Sequence, residues 1–72
     1  MSPQNSIAIQ VNGEPKEIAV GMTVRALLEQ LGLNAGRVAV EYNHNILSRP
    51  KWAETTISEG DRFEIVQFVG GG

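Results

Sequence analysis

Asn12-Gly13 stands between an alternating run and a second strand-like run, and this arrangement constrains the fold more than any other feature of the chain. Ile7, Ile9 and Val11 alternate with Ala8 and Gln10 before it, and a second run through Ile18 to Val20 follows it. Residues spaced by two share one face of a strand, and Asn-Gly accepts the positive φ angles of the tight turn whose twist suits two antiparallel strands. The chain therefore opens with a β-hairpin. After Gly21 the period lengthens: Val24, Leu27, Leu28 and Leu31 fall on one helical face, with Thr23 as N-cap and Gly32 just past the end. This predicts one amphipathic helix of about two to three turns. Leu33 is placed to supply the apolar contact that accompanies a glycine cap.

Alternation returns over Arg37 to Tyr42, a third strand, and Asn43-His44-Asn45 turns into a very short strand at Ile46-Leu47. Ser48 to Trp52 reads as a single helical turn opened by Pro50, and Glu59-Gly60-Asp61 turns into the last strand. The order ββαββ, with a short helical excursion before the final strand, belongs to the α+β class: a mixed sheet of four to five strands packs one face on one helix. A chain of 72 residues, 42% of them hydrophobic, has enough apolar surface for one small core and no room for a second domain. The expected organisation is a polar, flexible leader over 1–6, a folded domain over 7–69 and a flexible glycine tail over 70–72.

The last strand runs straight into Gly70, Gly71 and Gly72. Glycine loses more conformational freedom on ordering than any other residue, so three in succession mark either a frayed end or a tail built for close approach by another protein. Extended, they reach about 10 Å beyond Val69, and without Cβ atoms they fit a narrow channel. Within the strand, Phe63 and Ile65 share one face while Glu64, Val66 and Phe68 share the other. With the first pair toward the helix, Val66 and Phe68 stand on the open face beside the tail, as a partner-binding surface that Glu64 and Arg62 would complete. The alternative is a central strand covered on both faces.

Other classes of function find little support. The absence of cysteine excludes a disulfide framework, a thiolate metal site and a cysteine nucleophile, so any sulfur handled here comes from outside. Eight acidic against six basic side chains, with no basic cluster, speak against nucleic acid. No run of 18 apolar residues and no targeting segment is present, so the expected setting is the cytoplasm, away from membranes. His44, the single histidine, lies in an Asn-rich turn and reads as a turn residue. Trp52 reads as a plug of the core or sheet edge. Arg49 and Lys51, like Arg62, either meet acidic partner residues or simply solvate the surface. Glu14, Glu17, Glu54 and Glu59 offer no pair at the spacing of general acid-base catalysis. No constellation able to catalyse a reaction, hold a metal or bind a cofactor emerges, which leaves a protein acted on by others.

The stretch Val40 to Trp52, the Glu59-Gly60-Asp61 turn and the ending Phe68-Val69-Gly70-Gly71-Gly72 resemble the ThiS family, the ubiquitin-like sulfur carriers of thiamine biosynthesis. The likeness spans nearly all of Ile7 to Gly72. It implies a β-grasp fold and a carrier role in which a ThiF-type adenylyltransferase, using ATP and magnesium, adenylates the Gly72 carboxylate. Sulfur from a donor such as a cysteine desulfurase then yields a thiocarboxylate, and a ThiG-type thiazole synthase takes that sulfur into the thiazole ring. The six-residue leader and the third glycine depart from the family pattern. The alternatives are a molybdopterin-synthase small subunit or another ubiquitin-like carrier, and an interaction module whose tail is never modified.

Overall fold

The structure is a computed structural model that describes residues 5–33 and 35–68. The glycine tail at 70–72 and the first four residues of the leader lie outside the described residues. Strands β1 (Ser6–Val11) and β2 (Glu14–Ala19) form the predicted hairpin, pairing Val11 with Glu14 across Asn12 and Gly13, whose φ angles are 53° and 83°. Two positive φ values in a two-residue loop define the type I′ geometry that the Asn-Gly pair favours. Pairing reaches back into the leader, since β1 begins at Ser6 and the Val20 N–H donates to the Asn5 carbonyl at 2.9 Å. Pro15 is tolerated within β2 because β2 is an edge strand.

Helix α1 (Val24–Gln30) starts where the Thr23 hydroxyl accepts a hydrogen bond from the Ala26 N–H at 3.2 Å. It ends in a paired glycine cap: the Gly32 N–H donates to the Glu29 carbonyl and the Leu33 N–H to the Leu28 carbonyl, with Gly32 at φ 74°. A Cβ is unfavourable at that φ, so glycine ends this helix at little steric cost. Leu33 packs against the core, as the cap requires.

A single 3-10 turn (Ala35–Arg37) leads into β3 (Val38–Tyr42), which turns through Asn43 (φ 51°) and His44 (φ 74°) into β4 (Asn45–Ile46). The short strand thus falls one residue earlier than the sequence places it. The two-residue turn pairs Tyr42 with Asn45, and Leu47 then leaves the ladder with its side chain packed against the core. Helix α2 (Arg49–Trp52) is one turn with Pro50 in its first turn, and it delivers Trp52 to the core with its indole N–H donating to the Leu47 carbonyl at 2.9 Å. A loop then passes the start of α1, where the Val24 N–H donates to the Thr55 carbonyl and the Ile57 N–H to the Met22 carbonyl. It leads to β5 (Arg62–Gln67).

The five strands form one sheet in the order β2-β1-β5-β3-β4, with β5 in the centre, parallel to β1 and antiparallel to β3. This is the expected α+β architecture, a mixed sheet grasping one helix. Val24, Leu27 and Leu28 from α1 meet Ile9, Ile18, Val40, Phe63 and Ile65 from the sheet, with Trp52 and Ile57 closing the core. Each large apolar side chain fully buried in this way stabilises the fold by about 1.5–3 kcal/mol. Because β1 turns away at Val11, the Ile65 backbone would lose its partner on that side. The Asn12 carboxamide replaces the missing strand, accepting from the Ile65 N–H at 2.7 Å and donating to its carbonyl at 3.2 Å.

Candidate functional site

Strand β5 carries the chain to the glycine tail, so the site is built outward from what fixes β5. Its entry is the turn Ser58 to Asp61, closed by the Asp61 N–H donating to the Ser58 carbonyl at 3.1 Å, with Gly60 at φ 86° where only glycine sits without strain. Asp61 is buried, and both carboxylate oxygens are occupied. One accepts from the Tyr42 hydroxyl and from the Ser58 N–H, each at 2.8 Å, and the other from the Asn43 side-chain amide at 3.1 Å. The Asn43 carboxamide oxygen in turn accepts from the Arg62 N–H at 2.8 Å. These bonds lock the start of β5 to the end of β3. In the sequence Asp61 reads only as a turn residue. Its distinguishing role needs Tyr42 and Asn43, which the fold brings to it from 18 and 19 residues away.

Burial raises the Tyr42 phenol above its ordinary 10.0, and the hydrogen bond to Asp61 and the charge of that carboxylate push it the same way. A phenol held protonated by the fold contributes stability that is fully present below pH 10.0 and is lost as the pH rises through the folded value. Tyr42 is the single tyrosine, so an ultraviolet titration of phenolate reports it alone. The expected midpoint lies above 10.0, and alkaline loss of stability should be smaller in Tyr42→Phe. A phenolate midpoint at or below 10.0 in the folded protein contradicts this account.

Past its entry β5 separates its two faces. Phe63 and Ile65 are buried at 1% and 9% exposure, whereas Val66 and Phe68 are exposed at 58% and 53%. The sheet is therefore covered on the helix side alone at this strand, and the alternative of a strand covered on both faces does not hold. Glu64 and Arg62 are exposed in phase with Val66. The Phe68 N–H still donates to the Arg37 carbonyl at 2.7 Å, so the ladder persists to the last described residue.

The register adds neighbours that strand phase alone could not supply. Glu41 lies directly opposite Glu64, Ala39 opposite Val66, and Ile46 opposite Glu41. Directly opposed residues share a face, so Ile46, at 73% exposure, joins Val66 and Phe68 in an apolar margin around two carboxylates. His44 lies in its turn near this face, and Trp52 is a core residue at 4% exposure. Arg49 and Lys51 sit exposed on α2. Among the described residues there is no group of three or more His, Cys, Asp or Glu side chains able to hold a metal ion. No helix among them is long and apolar enough to cross a membrane.

Comparison with known proteins gives the chain its relatives. The model of the ThiS family matches residues 9–72. The chain is 34% identical over 64 residues to the sulfur carrier protein ThiS of Escherichia coli, covering 89% of this chain and 97% of that protein. It is 44% identical over 62 residues to a thiazole synthase of Paramagnetospirillum magneticum, covering 86% of this chain but 19% of that protein, so it spans about a fifth of this longer relative. The crystal structure of the thiamine biosynthesis protein ThiS from Geobacter metallireducens superposes with a TM-score of 0.79 at 36% identity, covering 92% of this chain and all of that one.

Proposed function

The chain belongs to the ThiS family, and from that premise we propose that it carries sulfur on its last residue for the making of a thiazole ring. The observation that carries this reading is the extent of the family match, which runs through the glycine tail to Gly72. A carboxylate with a pKa of about 3.5 is ionised at neutral pH, so it can act as a nucleophile, yet it is a poor electrophile until a leaving group is attached. A ThiF-type adenylyltransferase supplies one. A Gly72 oxygen attacks the α-phosphorus of magnesium-bound ATP, pyrophosphate leaves, and the tail ends in an acyl adenylate.

A persulfide on a donor such as a cysteine desulfurase attacks the acyl carbon with its terminal sulfur and expels AMP. A second thiol then cleaves the resulting acyl disulfide, leaving the Gly72 thiocarboxylate and a donor disulfide. Thiazole synthase accepts the sulfur. A stretch like this chain within a much longer thiazole synthase supports that acceptor, because there carrier and acceptor would share one polypeptide. ATP, magnesium and the catalytic groups belong to the partners, and the chain itself is a protein co-substrate. Gly70 and Gly71 give the reach and slimness a channel requires, while the open face of β5 docks the partner.

The test is an intact-mass measurement after incubating the full chain with a ThiF-type adenylyltransferase, ATP, magnesium and sulfide. The expected result is a gain equal to the difference between sulfur and oxygen, lost on deletion of Gly72. An unchanged mass with an enzyme active on another carrier would overturn the reading.

A further inference from the structure

Glu41 and Glu64 face each other across β3 and β5 on the open side of the sheet, both exposed, and neither enters an ion pair or hydrogen bond of its side chain among the described residues. Like charges directly opposite one another destabilise a sheet. Arg62, in phase on the same strand, forms no ion pair with either carboxylate among those residues. Beside the pair lies a depression of about 120 Å³, lined by Glu41, Glu64, Arg62, His44 and Gln10, with room for a single side chain. Ile46, Val66 and Phe68 border the two acids with exposed apolar surface.

We propose that this acid pair receives one arginine or lysine side chain of the adenylating partner, set among apolar residues that cover Val66, Phe68 and Ile46. The inference rests on the reading that the open face of β5 is where the partner docks, and it adds the chemistry of the surface that fits there. Charge complementarity selects a basic residue: one cation between two carboxylates removes their repulsion and gains two charge-assisted contacts as water leaves the interface. An acidic or purely apolar partner surface would bury both charges unpaired. The sequence of surfaces along β5, from cationic Arg62 through anionic Glu64 to apolar Val66 and Phe68, has a direction. A partner that reads it is aligned with the end of the strand from which the tail leaves.

The experiment measures binding of the full chain to a ThiF-type adenylyltransferase at several salt concentrations, for wild type, Glu41→Gln/Glu64→Gln and Phe68→Asp, with a thermal melt of each. The double variant is expected to bind at least about tenfold more weakly, with a flatter salt dependence, while melting no lower than wild type because a repulsion has been removed. Wild-type affinity and salt dependence in the double variant, with Phe68→Asp defective, would overturn the acid-pair inference and leave the docking face in place. Wild-type affinity in both variants would overturn the docking face and the inference together. A lowered melting point matching the loss of affinity would also overturn it, since that assigns the two glutamates to the fold; the single Glu64→Gln, which keeps one charge, should then lose stability as well.

Discussion

Phe63→Ala is expected to remove most of the stability of this domain. A chain of 72 residues has roughly 4–11 kcal/mol of folding free energy, and truncating a fully buried phenylalanine costs about 3–5 kcal/mol. The upper part of that cost applies here. Phe63 is 1% exposed on the central strand, between β1 and β3, and its ring packs on Tyr42 with centroids 5.2 Å apart. Elements on both sides would have to shift to fill the cavity, and each is tied down: β3 by the Tyr42 and Asn43 bonds to Asp61, β1 by the Asn12 bonds to Phe63 and Ile65. Denaturant titration should therefore give a midpoint far below wild type, with Phe63→Leu retaining about half or more of the loss. Val66→Ala, on the opposite face of the same strand, should stay within about 0.5 kcal/mol of wild type. A cost below about 1.5 kcal/mol for Phe63→Ala would mean that β5 is not the centre of the core.

The contrast between Phe63 and Val66 also shows what could be read from the sequence. Alternation along a strand follows from its geometry, so the division of Phe63 and Ile65 from Val66 and Phe68 was legible at once. Which face is covered was not, because that depends on how many layers the chain can build; a single helix covers one. Thr23, Gly32 and Asn12-Gly13 were equally legible, since each acts through backbone groups a few residues away. Asp61 and the Asn12 carboxamide were not. Their partners lie 18 to 53 residues distant, and only the parallel pairing of β1 with β5 and the antiparallel pairing of β3 with β5 bring them together. The facing of Glu41 and Glu64 is a property of register in the same way, and Ile46 joins the site only because a two-residue turn fixes β4 beside β3. The role proposed for Gly72 would depend on chemistry performed by other proteins, so it rests on family resemblance and glycine's small size, and the residue lies outside the described structure.

Phe68→Asp should separate binding from folding. Phe68 is 53% exposed, and its backbone holds its place by donating to Arg37, so a change of side chain leaves the core untouched and stability within about 0.5 kcal/mol. Binding is a different matter. Phe68 stands at the base of the tail, and a partner that swallows the tail must close over it. Losing a central aromatic contact typically costs about 2–4 kcal/mol, roughly thirty- to a thousandfold in affinity, and an aspartate there would add a charge buried without a counterion. On the proposed carrier role, calorimetric titration against a ThiF-type adenylyltransferase and, separately, a thiazole synthase should show both complexes failing together, because each would have to admit the same tail past the same residue. For the wild-type chain, the two enzymes should compete, one displacing the other. Unchanged affinity for both enzymes would remove the docking role of this face, whereas loss of one complex alone would mean that the second partner grips the carrier elsewhere and reaches the tail from another side.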